Sequence, residues 1–225
     1  MSKKTKSRET GICWDKLLAG LILIPAGAGL TIVLLGYLRH FCIVYIPFFL
    51  GILSYTLIYP VFKKPLSSYV IGHELTHVLW VWLFRGRVHK VRVSRRGGMV
   101  QADRVNFWIE LAPYFFPIYT ITAVGVYLIL SILWGMNRYF NLFAFILGLT
   151  WAFHLWMTVY VLRYNQPDIQ ASGIFFSAVL IYTVNLIVLI LLLVFISPEL
   201  SFQGFICQSG SRVRESYLWI LHRLT

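Results

Sequence analysis

Acidic residues are scarce in this chain: eight Asp and Glu stand against 20 Lys and Arg among 225 residues, and charged residues of both signs make up only 12%. That leaves too little polar surface to cover a water-soluble globule of this size. Cysteine is scarce as well. Cys13, Cys42 and Cys207 are odd in number and widely scattered, with no C-x-x-C pair, which argues against a disulfide framework and a thiolate zinc site. They read as small apolar residues. Also missing is any internal repeat between the two halves, the usual mark of a transporter.

What fills the chain instead is apolar: 59% hydrophobic and 17% aromatic residues, with a mean hydropathy of +0.74. Several runs approach the roughly 20 residues needed to cross the hydrocarbon of a bilayer. The reading is an integral, multi-pass membrane protein, with the cell membrane as the expected location. The net charge of +12 comes from Lys and Arg gathered in the N-terminal tail and in one loop. Such clusters suit anionic lipid head groups, so membrane lipids are expected partners and nucleic acid is not.

Residues 1–16 form a basic tail, and apolar residues take over from Leu17 to Leu38. That run is too long for a signal-peptide core and has no small-residue cleavage pattern after it, so it reads as a retained first span. Further spans are expected at about 41–62, 66–84, 107–134, 139–162 and 173–196, separated by breaks such as Lys63-Lys64-Pro65 and Asn165-Gln166-Pro167-Asp168. The fold class is therefore an all-α polytopic membrane protein of about six transmembrane helices, with a membrane-embedded domain over 17–196. Residues 197–225 form a more polar tail, whose end, Val213 to Leu224, reads as an amphipathic helix on the membrane surface.

The third run carries His73-Glu74-Leu75-Thr76-His77, an H-E-x-x-H pentapeptide. On a helix the two imidazoles stand one turn apart on a single face, where they can grip one Zn²⁺ while Glu74 reaches a water as general base. Ionisable residues at the centre of a membrane helix cost on the order of 3 kcal/mol each on insertion scales, so they usually face a partner or a wet cavity. Three within one turn ask for a metal. By length the motif begins about two turns, roughly 10 Å, into its span, which sets it below one interface rather than at mid-bilayer.

A catalytic zinc needs a third protein ligand and an open fourth position. Glu9, Asp15, Glu199 and Glu215 lie in the tails, Asp103 in the loop and Glu110 at the start of the fourth span. Asp168 is the best candidate, since Pro167 breaks the chain at the mouth of the sixth span and lets a carboxylate project inward. An N-cap or interfacial acid is the plainer alternative for it. His154, inside the apolar fifth span, is the rival ligand; a lone intramembrane histidine is more often a hydrogen-bonded core residue or a support for a ligand.

Between the third and fourth spans, residues 85–105 alternate β-branched and polar residues around Gly97-Gly98, the pattern of a β-hairpin. Its plain reading is a solvated basic loop. The alternative is a substrate clamp: a helical substrate hides its peptide bonds, and an exposed strand beside the metal, with Val91 and Val93 alternating on it, can hold an unwound segment by β-augmentation. Pro113 and Pro117 in the fourth span predict a kinked or re-entrant element.

These residues together resemble the site-2 protease family of intramembrane zinc metalloproteases, over roughly Leu66 to the end of the sixth span. The resemblance implies zinc held by His73, His77 and Asp168, Glu74 as the catalytic glutamate, and Asn165 steadying the substrate carbonyl. It also implies a membrane-spanning or membrane-associated protein or peptide as substrate. The chain departs from the family pattern in having Thr76 where a glycine commonly precedes the second histidine, and Asn165-Gln166-Pro167-Asp168 for the usual Asn-Pro-Asp-Gly. With no PDZ-like domain in the sequence, substrate selection is expected of the membrane part itself. Lys and Arg divide almost evenly between the two sides, barely favouring cytoplasmic termini; the resemblance implies a cytoplasmic hairpin. Two other classes stay open, a non-hydrolytic protein of the same fold that binds membrane helices and a metal-ion transporter.

Overall fold

The computed structural model describes residues 14–39, 43–61, 64–94, 97–197 and 200–224. Most of the basic tail, Cys13, Cys42 and the Arg95-Arg96 turn lie outside the described residues. Among the described residues 83% are helical, with one small antiparallel sheet. In order, α1 covers Trp14–Arg39, α2 Ile46–Val61 after a 3-10 turn, and α3 Leu66–Leu83. The hairpin follows as β1, Val88–Ser94, and β2, Gly97–Ala102. Then come α4 Phe107–Phe115, α5 Ile118–Trp134, α6 Phe140–Leu162, α7 Pro167–Ser172, α8 Ile174–Ile196 and α9 Phe202–Leu224.

Among the described residues, four helical stretches are long and apolar enough to cross a membrane: 14–39, 43–61, 136–162 and 174–196. The pair α4–α5 makes a fifth if it counts as one span, bent by 71° where Pro117 interrupts it. This is the break that Pro113 and Pro117 predict: Phe116 is extended, and Pro117 supplies no N–H to continue the ladder. The expected count of six would also require α3 to cross. The motif residues His73, Glu74, Thr76 and His77 dilute its apolar character, and α3 does not reach the composition of the others.

Packing explains which faces turn inward. Phe48 of α2, Leu147 and Trp151 of α6 and Leu193 of α8 form one buried cluster. There α2 and α6 cross at Gly51 and Gly148, where a Cβ on either glycine would strike the backbone carbonyl of Phe145 or of Phe48. Close approach of this kind is how helices gain dispersion energy where lipid supplies no hydrophobic drive. A second cluster seats α4 on α8 through Leu111, Tyr114, Phe115, Phe176, Leu180 and Ile181. Outward faces carry Ile22, Leu57, Ile132 and Leu133, all more than half exposed, a surface suited to acyl chains and poorly suited to water.

The C-terminal helix differs from expectation in extent and in neighbour. It starts at Phe202 rather than Val213 and runs antiparallel along α1, with Phe205 against Leu30 and Val33, Val213 beside Gly29, and the Tyr217 hydroxyl donating to the Ile22 carbonyl. Contact with α1 covers Phe205 and part of Val213 and Tyr217, while Leu218, Trp219 and Leu221 stay more than half exposed.

Candidate metal centre

Helical spacing brings His73 and His77 together: their Nε2 atoms are 3.2 Å apart, on the inner face of α3. Asp168 reaches them from α7, its Oδ2 lying 3.6 Å from His73 Nε2 and 3.5 Å from His77 Nε2. Two nitrogens and an oxygen about 2.0–2.1 Å from one tetrahedral ion would be separated by about 3.3–3.4 Å, the edge of that tetrahedron. The observed triangle fits within a few tenths of an ångström. Among the described residues this is the one group of three such side chains able to hold a metal ion. A nitrogen-rich set of three leaves a fourth position free, the pattern of catalytic rather than structural sites.

His77 and Asp168 are each held by a hydrogen-bonding neighbour. His77 Nδ1 is 2.8 Å from the Ile109 carbonyl; a carbonyl can only accept, so Nδ1 carries the proton and the Nε2 lone pair faces the centre. Ile109 is itself placed by the start of α4, where Asn106 caps the helix by accepting from the Ile109 N–H at 2.9 Å. Pro167 opens α7 and puts Asp168 in its first turn. Tyr114, fully buried on α4, donates its hydroxyl to Asp168 Oδ2 at 3.2 Å and stands edge-on to the His73 ring. Ser172 donates to Glu110 at 2.6 Å, tying α7 to α4, and Lys16 of α1 donates to the Ala171 carbonyl at 2.9 Å.

Glu74, 5% exposed, borders the same cavity of about 620 Å³ as His73, His77 and Asp168. Across from it runs β2. A Cβ built on Gly98 would overlap the Glu74 side chain from Cγ to the carboxylate, so only a glycine lets the strand pass this close. The hairpin is anchored at its base by Asp103, which accepts from the Arg87 N–H at 2.6 Å and returns its own N–H to the Arg87 carbonyl. At its start, Arg85 adopts a left-handed φ of 57° to turn the chain out of α3.

The structure separates the residues singled out from the sequence. His73, Glu74, His77 and Asp168 converge on one cavity. Val91 and Val93 do not line it: they lie on β1, paired to Val100 and Gly98, and the strand facing the cavity is β2 through Gly97, Gly98, Met99, Val100 and Ala102. The sequence pattern marks both strands alike, and only the packing of the hairpin on α3 chooses between them. Asn165 is exposed and stands outside the lining, where Tyr164 and Gln166 take the neighbouring places. His154 is buried on α6 beside His73 but does not join the ligand triangle. Sequence reasoning missed Tyr114, Asn106 and Ser172, for which Tyr and Ser carry no local signal, and took Gly98 only as a turn residue.

None of the protein-family models, curated proteins or solved structures compared with the chain matches it.

Proposed function

We propose that the chain is an integral, multi-pass membrane protein that works as an intramembrane zinc metalloprotease similar to the site-2 proteases. It would hydrolyse peptide bonds of membrane-spanning or membrane-associated substrates in the cell membrane. The observation that carries the reading is the meeting of His73, His77 and Asp168 in a tetrahedral-edge triangle with Glu74 in the same cavity. Zinc suits two imidazoles and a carboxylate, and when bound it supplies Lewis acidity towards a water and a peptide carbonyl.

The chain's own residues supply the rest. Glu74 accepts a proton from the attacking water and returns it to the leaving amine, a role that needs a carboxylate able to cycle between two states. Tyr114 holds Asp168, and the Ile109 carbonyl holds His77, so that the cavity is pre-shaped before substrate arrives. The outer edge of β2 offers backbone groups to an unwound segment of substrate, and Gly98 lets the face of that strand lie against Glu74.

The test is Glu74→Gln, nearly isosteric but unable to take the proton. With a model membrane substrate and purified protein, cleavage should fall by about 10²–10⁴-fold, the usual share of a general base, with zinc content unchanged. Full activity in that variant would remove the metalloprotease reading.

A further inference from the structure

A second, much smaller cavity of about 20 Å³ lies between α3, the α4–α5 bend and α6, bordered among others by Gly72, His73, Thr76, Pro117 and His154. It is too small for any organic ligand. Its volume does match one water, which needs about 10–15 Å³ of such space and two or more polar partners. Three buried atoms of its wall residues have no protein partner, the Tyr69 hydroxyl, His73 Nδ1 and His154 Nε2, and two of them are ring nitrogens of facing histidines. Buried polar atoms are rarely left without one.

The chemistry of the two rings is complementary. The Tyr114 carbonyl is the backbone partner of the His154 ring, and Nε2 is the ring nitrogen left without a partner; a carbonyl accepts only, so Nδ1 carries the proton. In the neutral ring Nε2 is then an acceptor. On His73, Nε2 belongs to the ligand triangle, and a ring that gives its Nε2 lone pair to a metal carries its proton on Nδ1. A donor and an acceptor thus border one water-sized space.

We propose that a single buried water in this cavity accepts from His73 Nδ1–H and donates to His154 Nε2, making His154 a positioning residue that fixes the orientation and tautomer of His73. The positioning role, and the direction of the bond between His73 and the water, rest on the metal reading of His73; the presence of a water bridging the two nitrogens does not. Ligating histidines commonly give their second nitrogen to such a partner, and losing it typically costs 10–100-fold in metal affinity or activity. His77 has the Ile109 carbonyl for this purpose; His73 has the water and His154.

Two measurements on the full chain decide it. A metal-free crystal structure fine enough to show ordered water should place one water at about 2.7–3.2 Å from both nitrogens; a dry cavity overturns the link. Zinc affinity, measured by chelator competition, should weaken about 10–100-fold in His154→Phe, which keeps an aromatic ring against Trp151 but no nitrogen. It should recover to within about threefold in His154→Gln, whose amide reaches towards the Nε2 position. Unchanged affinity in His154→Phe, or no recovery in His154→Gln, overturns the positioning role. Should the wild type bind no zinc at all, the metal reading fails and the positioning role with it, while the crystal still decides the water link.

Discussion

Glu74 and Gly98 meet across the cavity so closely that the smallest side chain on the strand would displace the carboxylate. Gly98→Ala should therefore leave zinc content unchanged and slow cleavage by about 100-fold, the scale of loss that follows when a catalytic group is misplaced by about 1 Å. Zinc assay and cleavage rate on the same preparation check this, and a fully active variant would show that the strand yields instead. Asp168 and His154 are separated by a different pair of measurements. Asp168→Asn should lose both zinc and activity, because an amide is a poor zinc ligand, whereas His154→Ala should keep most of its metal at saturating zinc and lose activity only in part. The reverse ranking would make His154 the third ligand. Much of this was legible in the sequence. An i, i+4 pair of histidines is local geometry and needs only a helix, and Pro167 marks where a carboxylate can leave the helical path. The partners of those residues, Tyr114 and the Ile109 carbonyl, come from another element and leave no trace in local spacing.

At the scale of the element, the hairpin is the part whose meaning changes most between sequence and structure. In an antiparallel ladder successive residues turn their backbone groups alternately to the partner strand and away from it. Of the neighbours Met99 and Val100, one therefore presents its N–H to the open side of β2. Placing Pro at each in turn should give one variant that retains zinc and expression yet cleaves a full-length membrane substrate at least about tenfold more slowly, since a proline removes the donor on which strand addition depends. The loss should be smaller with a short substrate that is already unwound. If both variants cleave the membrane substrate at the original rate, β2 does not hold substrate. Alternating valines predict a strand but not its neighbour. Here the turn at Arg85 and the Asp103 anchor aim the hairpin so that β2, not β1, faces Glu74.

For the whole molecule, the His73, His77 and Asp168 triangle joins two elements: α3 supplies two residues and α7 the third, while α4 braces both. An ion that binds only the folded arrangement stabilises it by mass action, by about 2.7 kcal/mol at a hundredfold excess over the dissociation constant. Zinc should raise the thermal unfolding midpoint of the detergent-solubilised chain and should have no such effect on His73→Ala. Equal shifts in the two proteins would place zinc binding elsewhere. The crossing of α2 and α6 at Gly51 and Gly148 lies in a separate cluster, so the unloaded protein should still unfold cooperatively.

Composition alone determined that this chain is mostly helical and suited to a membrane, because apolar content and run length act through solvent and need no knowledge of neighbours. Local spacing likewise determined the histidine pair, the hairpin and the breaks at Pro117 and Pro167. Tertiary structure alone decided that Asp168 rather than His154 completes the triangle, that β2 rather than β1 borders Glu74, that Asn165 stands outside the cavity, and that the last helix lies along α1. Each of those outcomes depends on which elements come to lie side by side. That is set by the summed packing of distant surfaces such as α4 on α8, a quantity that no window along the chain contains.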